Sequence, residues 1–580
     1  MGTVSSTSQP IVIRKRSTVF TRITLPCTSG DSLDTTSEHS QEAHSLVHEK
    51  TRYTEQEHRK PPPPPPPSEK PHPHPQPSFP AYAPTQDIVS DAASTSYQDF
   101  LNTFPEYRLT WILDTLRRSD YQRLDTTGET YADYMGGAIY PESLVRVHTE
   151  FLNRSVMGNT HSISNSSRLS LKCADEARAA VLSFFRAPSE EYAVVFTPNA
   201  TGALKLVGES YPFTGGGNYV LSHDSHNSVH GIREFATYRG ARVCYIPPTA
   251  TGGFEPELAK NILLRNRPRS APCLFALTGQ SNITNAKNPL SILEYAKSLG
   301  YHTLLDAAAL AATSAISLTD TPVDAMAVSF YKMFGFPTGV GALVVKKSFL
   351  KQLKRPWFAG GTVNLVQVPG TIVTRSQELH EQFEDGTINY LTLPAVTDGL
   401  RFLSAYLPFL PLRLSCLMHY LVSSLSQLRH DTTGNPAVRI LSAKPSRRLT
   451  SVGDQSDTGS IVSIIFLSPS GEILPNSFVD YAASKLNLSL RTGCMCNPGG
   501  AAAMLNIQED MDKLFEGATL KDFENAVGRQ LGVVRISLGL ASNFQDAWTI
   551  VRFAGLFATE KTRNLLWDHF VDASGIGRAI

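Results

Sequence analysis

The sequence predicts an α/β protein built on a parallel sheet with helices on both faces. Two observations carry this. Between residues 193 and 330 short apolar runs alternate with amphipathic, helix-like stretches, the pattern of repeated strand–helix units. The residues that follow these runs are small, polar or ionisable, as expected where a ligand sits beyond the carboxyl ends of parallel strands.

The elements follow in order. "AVVFT" (193–197) reads as a strand and "ATGALKLVGES" (200–210) as the helix after it. "NYVLS" (218–222) is the next strand, "SVHGIREFATYRG" (228–240) a helix, and "RVCYI" (242–246) a strand. "CLFAL" (273–277), "HTLLDAA" (302–308) and "DAMAVSF" (324–330) continue the sheet, with the helical "LSILEYAKSLG" (290–300) between the first two.

Residues 1–96 read as a disordered, Pro-rich tail. Thirteen of the 38 prolines fall between 61 and 84, and none of the four tryptophans lies in this segment. Such a composition buries too little apolar surface to offset chain entropy. The expected organisation is this tail, a large domain over 97–390, a smaller α+β domain over 391–560 and an extension over 561–580. Arg14, Lys15, Arg16 and Arg22 with no acid before Asp31 resemble a transit peptide, and "MGTVSS" fits a loose myristoylation pattern. Neither is specific, and a cytoplasmic location is the expectation.

A length of 580 residues allows about two to four domains. A formal net charge of +1 offers no polyelectrolyte signal for nucleic acid or a membrane surface. No apolar run approaches the roughly 18 residues of a membrane span. Seven cysteines do not form a disulfide framework at this length.

The candidate site residues lie at strand ends. After "AVVFT" comes "PNATGALK", a small turn into a helix whose free N–H groups, with Thr201, suit a phosphate. His226, in "HDSHNSVHG", is a general base, a stacking ring or an ordinary surface histidine. Asp306, in "LLDAAALAAT", needs a cationic or hydrogen-bonding partner if buried. Lys332, in "SFYKMFGFPTG", is flanked by aromatic residues. It is either a snorkelling lysine or an amine of depressed basicity that forms a Schiff base. A phosphate turn, an acid and a lysine after successive strands fit pyridoxal phosphate: the turn for the phosphate, Asp306 for the ring nitrogen, Lys332 for the aldehyde.

"RTGCMCNPGG" (491–500) places Cys494 and Cys496 in a Gly-rich segment after Arg491. Half a metal site and a reactive thiolate are the two readings, and no second cysteine pair completes a metal site. In an extended loop the two cysteines point the same way, so the sequence does not separate them. Arg535, in "VVRISLG", is placed to clamp a carboxylate or to lie on the surface.

Taken together, "SFYKMFGFPTGVGALVV", "LLDAAALAAT", "RTGCMCNPGG", "FEDGTINYL" (383–391) and "GNTHS" (158–162) resemble the motifs of class V, cysteine-desulfurase-like pyridoxal-phosphate enzymes. The resemblance covers about 97–557 and is strongest to the N-terminal domain of molybdenum cofactor sulfurases. It implies a fold-type-I architecture, with a large, mostly parallel, seven-stranded-type sheet domain and a smaller C-terminal α+β domain. It implies Lys332 as the Schiff-base lysine, Asp306 on the ring nitrogen and His226 stacked on the ring. Ala200, Thr201 and Ser329 are implied on the phosphate side, and Asn282 near the ring oxygen. Thr387 is implied as a phosphate contact reaching across a homodimer, Cys496 as the persulfide-bearing nucleophile, and Arg491 and Arg535 as substrate-side arginines. The implied reaction takes sulfur from L-cysteine, leaves alanine and passes a persulfide to an acceptor, in that family the molybdenum cofactor.

Three features depart from the family. The residues after 560 are too few for the further C-terminal domain of these sulfurases, Ala501–Ala503 replace a further cysteine, and no glutamine follows Asp306 in "DAAALAAT". The rival reading is a class V lyase, aminotransferase or epimerase in which Cys496 is incidental.

Overall fold

Seven strands form the large sheet: β1 (Tyr192–Thr197), β2 (Asn218–Ser222), β3 (Arg242–Ile246), β4 (Leu274–Thr278), β5 (His302–Asp306), β6 (Ala325–Ser329) and β7 (Gly341–Lys346). Their spatial order is β1-β7-β6-β5-β4-β2-β3. Every neighbouring pair is parallel except those made by β7, which runs antiparallel to β1 and β6. The computed structural model describes residues 86–574. These fall within one compact unit.

The strands are mostly apolar because both faces of the sheet are covered, as parallel sheets require, with the edge strand β3 only half-buried. Val194, Phe196, Val220, Phe275, Met326 and Val344 pack on one side. Val195, Tyr219, Leu221, Ala276, Ala327 and Leu343 alternate with them and pack on the other. The runs "NYVLS" and "RVCYI" coincide with β2 and β3, and the helix Ala200–Ser210 has the expected bounds. The expected helix at 228–240 is divided at Gly231 into Asn227–His230 and Ile232–Tyr238.

A second, antiparallel sheet has the order β8-β9-β11-β10, with β8 Val438–Ile440, β9 Ile461–Phe466, β10 Arg491–Gly493 and β11 Val533–Ser537. The helices Leu410–Gln427, Asn476–Lys485 and Phe544–Ala558 pack around it. The first described helix, Gln86–Thr103, starts inside the segment expected to be tail; residues 1–85 lie outside the described residues.

The segment that follows this helix packs on the C-terminal half of the chain. Arg117 bridges Asp546 at 2.6 Å and the Ala541 carbonyl at 2.7 Å. The buried Arg413 pairs with Asp114, and Arg448 with Glu106. Thr130–Tyr131 runs parallel to Leu488–Ser489. No single helix among the described residues is long and apolar enough to cross a membrane.

Candidate active site

Three adjacent strands end at one cavity. Thr278, Asp306 and Ser329 are the last residues of β4, β5 and β6, and Thr278 lies in register with Asp306. All three line the cavity, together with Asn199, Ala200, Thr201, His226, Asn282 and Lys332. The site therefore lies where a parallel sheet of this kind binds its ligand.

Each group is held in a definite way. Asn199 caps the helix Ala200–Ser210, its side chain accepting the Gly202 N–H at 3.0 Å. The Ala200 N–H donates to Ser329 Oγ at 2.8 Å, and the Thr201 and Ser228 hydroxyls lie 2.8 Å apart. A helix N-terminus and three hydroxyls thus converge on one end of the cavity, a setting suited to a phosphate. Asp306 is buried, and its Oδ1 accepts the Ala308 N–H at 3.1 Å. No described residue donates to its second oxygen.

Lys332 sits in the short helix Phe330–Phe334 that follows β6. The chain leaves this helix at Gly335, where φ is +82° and a Cβ would lie 2.4 Å from the Tyr140 N atom, so glycine is required there. Burial pushes the Lys332 amine below the usual lysine range; Arg535 and Arg491 add to this, while Asp306 and Asp133 oppose it. A lysine so held is a readier nucleophile at neutral pH. Burial likewise lowers the basicity of His226, with the charges of Lys332 and Arg491 pushing the same way and Asp306 opposing. His226 Nδ1 accepts the Ser228 N–H at 3.1 Å, which assigns the proton of the neutral ring to Nε2.

The cysteine segment differs from the expected extended, Gly-rich loop. Met495 and Cys496 both have φ of +55°, and Pro498–Leu505 is a helix capped by Asn497. Two consecutive non-glycine residues in the left-handed region are strained, and the surroundings fix them there. The Met495 carbonyl accepts from Asn282 Nδ2 at 2.7 Å, and the Cys496 carbonyl accepts the Asn227 N–H at 2.7 Å. A Cβ on Gly499 would lie 2.1 Å from the His223 carbonyl oxygen, so the helix start presses directly on the loop that carries His226.

This turn separates the cysteines. Cys496 is exposed. Cys494 is half-buried against the apolar cluster of Ile465, Leu505, Phe523 and Leu531, and burial raises its thiol pKa. Cys496 does not itself line the Lys332 cavity; its backbone is docked beside it.

Arg491 and Arg535 are register partners on β10 and β11. Arg491 is exposed. Arg535 is buried, bonded through Nη2 to Asp133 and through Nη1 to the Asn282 carbonyl at 3.0 Å, with Nε unpartnered. Burial lowers its basicity, and Asp133 offsets part of this. Thr387 is not brought to the Lys332 cavity. It is exposed, accepts from Asn159 Nδ2 at 3.2 Å and lines a separate, larger cavity of about 460 Å³ with Gly202, Lys205 and Asp385.

Sequence reasoning missed a buried hub. Asp224 is fully buried; its Oδ1 accepts from Ser281 Oγ at 2.6 Å and Asn497 Nδ2 at 2.7 Å. Its Oδ2 accepts from Thr284 Oγ1 at 2.6 Å and the Gly253 N–H at 2.7 Å. The loops bearing His226, Asn282 and Cys496 are thereby tied to one carboxylate. Its only signal was an acid two residues before His226. Tyr331, Ser228 and Gln280 also line the cavity without having been singled out.

The aminotransferase class-V family model matches residues 130–547. The chain belongs to this family. Proteins named molybdenum cofactor sulfurase are similar to it. The one from Arabidopsis thaliana is 31% identical over 477 residues, covering 76% of this chain and 57% of its own length. The one from Aspergillus niger is 35% identical over 471 residues, covering 78% and 55%. The chain thus spans little more than half the length of these relatives. Among solved structures, the apo cysteine desulfurase of Thermococcus onnurineus NA1 aligns with a TM-score of 0.59 at 20% identity, covering 76% of this chain and 97% of that one. The cysteine desulfurase CsdA of Escherichia coli aligns at 0.60 and 20% identity, covering 78% and 98%. This class V chain therefore has the fold of the fold-type-I desulfurases, with Lys332 at the carboxyl end of its large sheet.

Proposed function

We propose that the protein is a pyridoxal-phosphate-dependent cysteine desulfurase that carries sulfur on Cys496 and delivers it to the molybdenum cofactor. One observation carries the reading. A buried amine, Lys332, and the carboxylate of Asp306 share a cavity at strand ends, and an exposed thiol is docked on the His226 loop beside it.

The residues present fit the cofactor. The helix turn at Ala200 and Thr201 with Ser329 would hold its phosphate, Asp306 its ring nitrogen, and Lys332 its aldehyde carbon, with His226 against the ring. When bound, the cofactor supplies an electron sink for a carbanion at the substrate α-carbon. With the cofactor in place, Lys332 Nζ would be the base that takes the α-proton of the bound substrate. Its lowered basicity keeps a neutral fraction for that task. Arg491, exposed and in register with Arg535, meets the substrate carboxylate. Arg535, committed to Asp133 and Asn282, ties β11 to the two segments that carry those residues.

The Cys496 thiolate attacks the sulfur of L-cysteine. An S–S bond forms as the substrate Cβ–S bond breaks. The electron pair stays with carbon, which takes a proton to give alanine, and Cys496 is left as a persulfide. The molybdenum centre then receives this sulfur as substrate. Thr387, which lines a different cavity from the Lys332 of its own chain, serves the phosphate of a second subunit in a homodimer. The docking of the Cys496 turn favours sulfur transfer over a lyase in which that thiol is idle.

Incubation of the full chain with pyridoxal phosphate and L-cysteine tests this. Equal amounts of alanine and protein-bound persulfide are expected, the persulfide being discharged by molybdenum cofactor. Alanine without persulfide, or another product, rejects the reading.

A further inference from the structure

We propose that a small monatomic anion of the halide class binds beside Lys287, in a second cavity that shares no lining residue with that of Lys332. The inference does not depend on the cofactor reading. The loop that carries Asn282 folds back so that Lys287 pairs antiparallel with Gln280. Lys287 there lines a cavity of about 20 Å³. The helix Leu410–Gln427 supplies one wall through Pro411, Leu414 and Ser415, and Ser456 and Thr458, just before β9, supply another.

The polar groups here have protons to give. Lys287 Nζ donates to the Ser456 carbonyl at 3.1 Å, which uses one of its three N–H bonds. Ser415 Oγ accepts the Leu449 N–H at 3.1 Å, and its own proton meets no acceptor among the described residues. Thr458 is 6% exposed, and its Oγ1 has no hydrogen-bond partner there. No carboxylate lines the cavity. Asp457 attracts the amine from a distance, but it is exposed and its Oδ2 accepts the Ser446 N–H at 3.0 Å. An ammonium so placed lacks a counter-charge, and a buried charge is normally paired. The cavity has room for one water or an ion of similar size, which excludes phosphate and carboxylates. A water would fill hydrogen bonds and leave the charge unanswered. A halide answers both, accepting from Lys287, Ser415 and Thr458. It thereby ties the loop of Asn282 to the helix Leu410–Gln427 and to the start of β9.

The test is urea unfolding of the full chain at pH 7 in sodium chloride and in sodium gluconate of equal ionic strength, for wild type, Lys287→Met and Lys287→Gln. General effects of the two salts are common to all three proteins and cancel in the comparison. In gluconate the ammonium keeps its full burial penalty. In chloride the folded-to-unfolded ratio of the wild type should rise by about tenfold more than that of either variant, the effect of an anion at ten times its dissociation constant. Two variants are used so that one poorly folding protein does not decide the result. Bromide should act as chloride does. A wild type that responds to chloride no more than a folded variant overturns the proposal and leaves a water at the site.

Discussion

Asn497 is where the cysteine turn is most exposed to perturbation. Its Oδ1 accepts the Gly500 N–H at 2.9 Å, capping the helix Pro498–Leu505. Its Nδ2 donates to Asp224 Oδ1 at 2.7 Å and to Asn282 Oδ1 at 3.1 Å. An N-cap contributes about 1 kcal/mol, and a hydrogen bond to a buried carboxylate about 1.5–3 kcal/mol. Asn497→Ala should therefore destabilise the fold by roughly 3 kcal/mol, read as a lower urea midpoint at pH 7. Asn497→Asp keeps the capping oxygen but sets a second carboxylate against Asp224, so it should cost at least as much. Both variants should lose persulfide yield more than cofactor affinity, because the turn carries Cys496 while Lys332 and Asp306 stand on other elements. An Asn497→Ala protein within about 0.5 kcal/mol of wild type, or an Asn497→Asp protein as stable as wild type, would refute the view that this hub fixes the turn.

Lys332→Ala should show no alanine production, and borohydride should no longer fix the cofactor to the chain; normal turnover would remove the amine from the mechanism. Cys496→Ser should bind cofactor and L-cysteine yet form no persulfide, whereas Cys494→Ser should keep most alanine production. The reverse outcome would move the nucleophile to Cys494, against its burial. Lys287 offers a pH test: burial lowers its amine to about 8, against an ordinary 10.5, with Asp457 opposing. The unfolded chain binds the extra proton between those values, so this penalty is full below pH 8 and vanishes as pH rises to about 10.5. Lys287→Met should be more stable than wild type at pH 7 by up to about 3 kcal/mol, and the advantage should shrink across that window in urea titrations. A pH-independent difference would show that packing, not charge, sets it.

What was legible in the sequence, and what was not, follows from the range of the interactions. A strand covered on both faces is nearly continuously apolar, so "NYVLS" could be read directly, while the half-buried edge run "RVCYI" was legible from its β-branched and aromatic residues. Asp306 and Lys332 stand at or just beyond a strand end, and the sheet rule alone places them together. The cysteine turn was misread because "RTGCMCNPGG" looks like an extended, Gly-rich loop. In the fold, two of its glycines start a helix, and the tight contact of Gly499 with His223 is what excludes a side chain there. The left-handed backbone at Met495 and Cys496 has no local sequence signal. Its causes are Asn282 and Asn227, more than two hundred residues away. The same distance hid the packing of the segment around Arg117 on the C-terminal half, which depends on Asp546. It hid the difference between Asn282 and Gln280 as well. Both are amides that line one cavity, and only the distant partners of Asn282 show that it fixes the Met495–Cys496 turn. Residue type thus marked the strand-end groups, and the long-range hydrogen bonds determine how each is held.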